Sequence, residues 1–192
     1  MREVIIFATY YKQLEKCQTL IHSLKMQTNP NWKLIICSNG DASANDIVLD
    51  DERISVTITP TNTEFWGALN RKDYIENGLP DGVMLINTSV EDYYAPTLIQ
   101  EVIECGEKAD FVHWDFSHHI FGYQTMYAIT QPRISKMDWG SYSIRSEVAK
   151  KVVLADDMWK QYVADGIFVE ELIKQVPNLK FIRIPKILMT KN

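Results

Sequence analysis

Two short runs free of polar residues, Val4 to Ala8 and Leu34 to Cys37, flank a stretch in which Leu14, Cys17, Leu20, Ile21 and Leu24 recur at helical spacing. Continuous apolar runs of this length fit strands covered on both faces. The pattern predicts strand, helix, strand, with Asn29-Pro30-Asn31 breaking the helix. A second helix is expected over Asn45 to Leu49, followed by the alternating strand Ile54 to Ile58 and a longer helix from about Thr63 to Glu76. Asn77-Gly78-Leu79-Pro80 then punctuates the chain before a strand that begins at Val83. Thr97 to Cys105 sets Leu98, Ile99, Val102 and Ile103 on one helical face, and Phe111-Val112-His113-Trp114 reads as the next strand. Such alternation predicts an α/β fold: a mostly parallel central sheet between helices on both faces, a Rossmann-type three-layer sandwich with ligands at the carboxyl ends of the strands.

Beyond this the pattern is less regular. His118 to Met137 mixes aromatic and polar residues without clean periodicity, as a hairpin or long loop over the sheet edge would. Helices are expected over Ser146 to Val153 and Asp165 to Val176, and a last strand over Phe181 to Ile184. There is no internal repeat or interdomain linker, so residues 1–192 read as one domain.

Composition narrows the function classes. A 46% hydrophobic content supports a buried core, and a net charge of -5 argues against nonspecific binding to nucleic acid or anionic membranes, which needs concentrated Lys and Arg. Cys17, Cys37 and Cys105 are odd in number and contain no CxxC, so neither a disulfide framework nor a zinc site is indicated. The first apolar run is too short for a signal peptide and no stretch approaches a membrane span. The expectation is an unprocessed, soluble, cytoplasmic protein of undetermined oligomeric state.

Candidate chemistry concentrates between Val83 and Pro96, where an apolar strand runs into Glu91-Asp92 and two tyrosines. A strand ending in carboxylates at a loop is where an α/β enzyme can hold a metal and a diphosphate. G-x-S-x-G, G-x-G-x-x-G and Walker A patterns are absent, which lowers the odds of a serine hydrolase, a dinucleotide oxidoreductase or a P-loop NTPase. His113, Asp115, His118 and His119 lack metal-ligand spacing and read as a polar loop beside a strand.

In this order the segments resemble the family 2 glycosyltransferases of the GT-A fold, with a degenerate DxD motif. The likeness rests on Ile5 to Tyr11 at the first strand, Leu20 to Gln27 with the flavour of S-L-x-x-Q-T, and Leu34 to Asp41 at the second strand. It continues through Asn70-Arg71, the Val83 to Pro96 segment, Met137-Asp138-Trp139-Gly140-Ser141-Tyr142 and Ala164-Asp165-Gly166. It implies transfer of a sugar from a nucleotide-sugar donor to an acceptor hydroxyl of a glycan, protein or small molecule, with inversion.

The resemblance also implies roles. Thr9, Tyr10, Tyr11, Asn39 and Asp41 would bind the donor nucleoside, although Asn39-Gly40 is also a turn former and the tyrosines could be partly buried loop residues. Arg71, whose fork of donors suits a diphosphate, would sit near the donor phosphates unless it lies on a solvated helix face. Counting back from Pro96, the motif falls on Ser89-Val90-Glu91 with Asp92 following. That gives Ser89 a ribose contact and Glu91 and Asp92 a divalent cation, Mn²⁺ or Mg²⁺, bound weakly or dispensable since both the first acid of the motif and the family's histidine are missing. Lys191 stands where the family often has a metal-binding histidine; it reads as an exposed tail residue or as a point charge against the diphosphate. Asp165 is the candidate general base, with helix capping as its structural alternative. Asp138 is the competing carboxylate, and Trp139 and Gly140 fall on the acceptor side. The rival functions are a binding module that has lost catalysis and a nucleotidyltransferase that releases pyrophosphate.

Overall fold

The computed structural model describes residues 3–59, 67–120 and 124–191. The first strand, β1 (Val4–Tyr10), is buried at all seven positions, as its unbroken apolar run requires. After it come α1 (Leu14–Lys25), β2 (Trp32–Ser38), a 3-10 turn (Ala42–Asp46), β3 (Ile54–Ile58), α2 (Ala68–Asp73) with a π-turn (Tyr74–Gly78), and β4 (Met84–Ser89). β5 (Asp92–Tyr94), α3 (Leu98–Gly106), β6 (Phe111–Ile120) and β7 (Gln124–Ala128) follow. A 3-10 turn (Trp139–Ser141) leads into β8 (Tyr142–Arg145), α4 (Ser146–Ala149), α5 (Asp156–Trp159), α6 (Ala164–Gln175) and β9 (Phe181–Lys191).

Nine strands form one sheet in the order β3-β2-β1-β4-β8-β6-β9-β5, with β7 paired to β6. The expectation of a mostly parallel sheet is corrected: β3, β2, β1 and β4 are parallel, whereas β8 runs antiparallel to both β4 and β6, and β5 antiparallel to β9. Helices do cover both faces. Val4, Ile6 and Ala8 point into one core with α1 and α3, and Ile5 and Phe7 into another with α2 and α6, the alternation a strand imposes.

Several boundaries move for identifiable reasons. The expected helix at Asn45 to Leu49 is instead the 3-10 turn capped by Asp41, because Val48 and Leu49 stay exposed and no apolar face holds a longer helix. Residues 60–66, which include the expected start of the Thr63 helix, lie outside the described residues. The helix expected over Ser146 to Val153 is four residues long. The last strand, expected to stop before Pro185, continues to Lys191 across an irregularity: Trp114 pairs with Ile184 but Asp115 with Ile187, so Pro185 and Lys186 are accommodated as a bulge. His113 and Asp115 belong to β6 rather than to a loop; both are buried, with Asp115 paired to Arg183 at 2.6 Å. Among the described residues, no helix is long and apolar enough to cross a membrane.

Candidate active site

The carboxyl ends of β1, β2 and β4 open onto two cavities that share Ser89 and Glu91 as a common wall. The smaller, about 240 Å³, is lined by Thr9, Tyr10, Tyr11, Gln13, Asn39 and Gly67 in addition to those two. The larger, about 490 Å³, reaches Arg71, Asp138, Trp139, Tyr162, Asp165 and Lys191. A site at the strand ends is where an α/β sheet leaves backbone and loop groups free to meet a ligand.

The first side is built by close packing at Gly67. Its φ of +73° is left-handed, and a Cβ there would lie 2.5 Å from Thr9 Cγ2, so only glycine lets α2 begin against β1. One turn later Arg71 is buried at the wall of the larger cavity, not on a solvated face, and donates to Thr9 Oγ1 at 2.9 Å, Thr88 O at 2.8 Å and Ser89 Oγ at 3.4 Å. Burial lowers its pKa, opposed by Asp138 and Asp92, yet a guanidinium stays charged under any ordinary condition. Tyr10 is not an open platform: its ring is in the core and its hydroxyl meets Ser43 Oγ at 2.9 Å. Tyr11 is 46% exposed and stands at the cavity rim. Asn39 is buried, its Oδ1 accepting from Asn70 Nδ2 at 3.5 Å. Asp41 lines neither cavity; it accepts from Ser43 N at 3.0 Å and Lys12 N at 2.6 Å, which ties the loop after β2 to the end of β1.

The second side comes from the turn before β8 and the start of α6. Asp138 caps its 3-10 turn, accepting from Gly140 N at 3.1 Å, while Ser141 Oγ accepts from Asp138 N at 2.9 Å. Gly140, expected on the acceptor side, is a close-packing position. It is buried, it lines neither cavity, and a Cβ there would fall 2.5 Å from Met189 Sδ and 2.9 Å from Thr88 Oγ1. This tight turn pushes Trp139 outward to form a cavity wall. Its ring stacks on Trp159 at 5.8 Å, tilts against Phe168 at 5.5 Å and faces the Arg71 guanidinium at 5.6 Å. Asp165, in the first turn of α6, accepts from Gly166 N at 2.7 Å and lines the cavity. Burial, then the Asp138 charge, pushes its carboxyl up to about 7, within range for proton transfer near neutral pH.

The expected metal pair divides. Glu91 lines both cavities, but its Oε2 accepts from Gln13 at 3.2 Å and Lys16 at 3.4 Å. Asp92 is 2% exposed and lines neither cavity; its Oδ2 accepts from Thr88 Oγ1 at 2.7 Å and Ser89 N at 3.2 Å, and burial with the nearby Asp138 raises its pKa. Lys191 is not an exposed tail residue. It lines the larger cavity and pairs with Asp138. Burial pulls its ammonium down, but Asp138, Asp92 and Glu91 together hold it above the usual lysine range. Among the described residues, no group of three or more His, Cys, Asp or Glu side chains could hold a metal. These donors do not fit a divalent cation: one acid is buried, one is held by Lys16, and one is paired to a fixed ammonium.

Sequence reading missed the place of Lys191 because it depends on β9 continuing past Pro185 to pair with β5. Lys191 is then directly opposite Asp92, and opposite His118 on β6. It also missed Gln13 and Tyr162, which no local pattern marks.

No protein-family model matches the sequence, and no curated protein does. Solved structures do. S. aureus TarS 1-349 in complex with UDP-GlcNAc superposes with a TM-score of 0.73 at 11% identity, over 99% of this chain and 59% of that one. A longer S. aureus TarS gives 0.75 at 10% identity, over 99% of this chain and 36% of that one. Mannosyltransferase PcManGT from Pyrobaculum calidifontis, in complex with GDP-Man and Mn²⁺, gives 0.70 at 9% identity, over 100% and 57%. The likeness is one of fold. The chain spans less than two thirds of the length of each of these proteins.

Proposed function

We propose that the protein is a nucleotide-sugar-dependent glycosyltransferase. One observation carries the reading: a cavity lined by Thr9, Tyr11 and Asn39 meets an acid-lined cavity at the shared wall of Ser89 and Glu91, at the strand ends of this fold. The solved neighbours add support, since their structures contain UDP-GlcNAc and GDP-Man.

In this reading the nucleoside occupies the smaller cavity, with Tyr11 at its rim and Asn39 at its base, and Ser89 meets the ribose. The diphosphate crosses the shared wall toward Arg71, and the sugar enters the larger cavity against Trp139. Asp165 removes the proton from the acceptor hydroxyl. That oxygen attacks the anomeric carbon from the side opposite the diphosphate, which leaves with the electron pair of the broken C–O bond, and the configuration inverts. Asp138 orients rather than accepts the proton, because both its oxygens are engaged, one by Gly140 N and the other by Lys191.

Incubation with a panel that includes UDP-GlcNAc and GDP-mannose, followed by product analysis, tests the reading. Release of nucleoside diphosphate together with the free or transferred sugar is expected. Pyrophosphate would instead indicate a nucleotidyltransferase, and saturable nucleotide binding without turnover a binding module that has lost catalysis.

A further inference from the structure

We propose that Lys191 supplies the positive charge that neutralises the donor diphosphate, so that the protein binds and uses its donor without a divalent cation. The inference rests on the sugar-transfer reading above. Its basis is the place of one ammonium. β9 carries Lys191 past the Pro185 bulge until it lies opposite Asp92 on one neighbouring strand and His118 on the other, at the edge of the larger cavity. There it pairs with Asp138, with its side chain 31% exposed and so open to an incoming ligand. Asp138, Asp92 and Glu91 all act on it electrostatically. A metal bound at Asp138 would have to displace this ammonium.

The acids could not readily compensate. The Oε2 of Glu91 is held by Lys16 and Gln13, and Asp92 is enclosed with one oxygen committed to Thr88 and Ser89. On the other side of Ser89, Arg71 is a second fixed cation. A diphosphate crossing the shared wall therefore meets two positive side chains, a forked guanidinium and a compact ammonium, both suited to phosphate oxygens. As the anomeric C–O bond breaks, the leaving oxygen gains negative charge. Lys191 stabilises that charge as an ammonium, without giving up its proton.

Titration calorimetry of the full chain with UDP and GDP, each in EDTA and in Mn²⁺, tests the inference. At least one diphosphate is expected to bind wild-type protein with affinities in EDTA and Mn²⁺ that agree within about threefold. Lys191→Met, which keeps the bulk of the stem, is expected to bind it about tenfold or more weakly in EDTA. Wild-type binding that appears only with Mn²⁺ would overturn the inference and leave the sugar-transfer reading standing, and this arm depends on no variant. Unchanged binding by Lys191→Met in EDTA would also overturn it. Absence of binding by either diphosphate under both conditions would overturn the inference and the underlying reading together.

Discussion

The two halves of the sheet are assembled by different rules. On one side β3, β2, β1 and β4 are parallel, joined by helices, and end together at Thr9, Asn39 and Ser89. On the other, directions are mixed: β6 and β9 are parallel, while β8 runs antiparallel to β6 and β5 antiparallel to β9, and their contribution to the site, Asp138 and Lys191, lies at a turn and a strand end far apart in sequence. In the proposed reading the parallel half sets a regular rim for the nucleoside, and the mixed half brings single charged groups to that rim.

Variants that separate the halves should therefore split binding from transfer. The largest effect is expected for Asp165→Asn, which keeps the contact to Gly166 N but removes the base. Transfer should fall by about 10²- to 10⁴-fold, the usual range for general-base catalysis, with nucleotide affinity unchanged by calorimetry. Arg71→Met acts on the other half. It keeps bulk but loses three charge-assisted hydrogen bonds, so nucleoside diphosphate affinity should fall by about 10- to 100-fold.

Stability measurements sharpen the contrast. Gly140→Ala, whose Cβ would overlap Met189 and Thr88, should lower unfolding free energy in urea by roughly 1–3 kcal/mol. The Asp165 carboxyl holds its proton up to about 7 in the folded chain but only to about 4 when unfolded. The folded state thus binds the extra proton between these values, and stability should fall as pH rises from about 4 to 7. Asp165→Asn should flatten part of that fall, leaving the part due to Asp92, while wild-type transfer rises with pH through about 7. The smallest effect is expected for Asp41→Ala, which should cost about 1 kcal/mol through the lost cap and leave donor KM unchanged.

The same division explains what the sequence disclosed. The unbroken apolar runs of β1 and β2, and the helical spacing between them, carry their own signal, so the parallel half and its rim could be read directly. Arg71 could be named, but its burial could not, since Arg71-Lys72-Asp73 looks like a solvated face until Gly67 seats the helix on Thr9. The close packing at Gly140 could not be read, because a glycine next to a tryptophan gives no sign of the methionine packed above it. Lys191 kept two readings, an exposed tail residue or a charge against the diphosphate, because Pro185 interrupts the local pattern of the last strand. Only pairing with β5 and β6 shows that the chain continues to the cavity.

In the proposed function the two cavities hold a single donor across Ser89 and Glu91. A crystal structure of the chain grown with UDP or GDP tests it most directly. The base is expected between Tyr11 and Asn39 and the diphosphate between Ser89, Arg71 and Lys191. A nucleotide bound elsewhere on the molecule, with both cavities filled only by water, would contradict it.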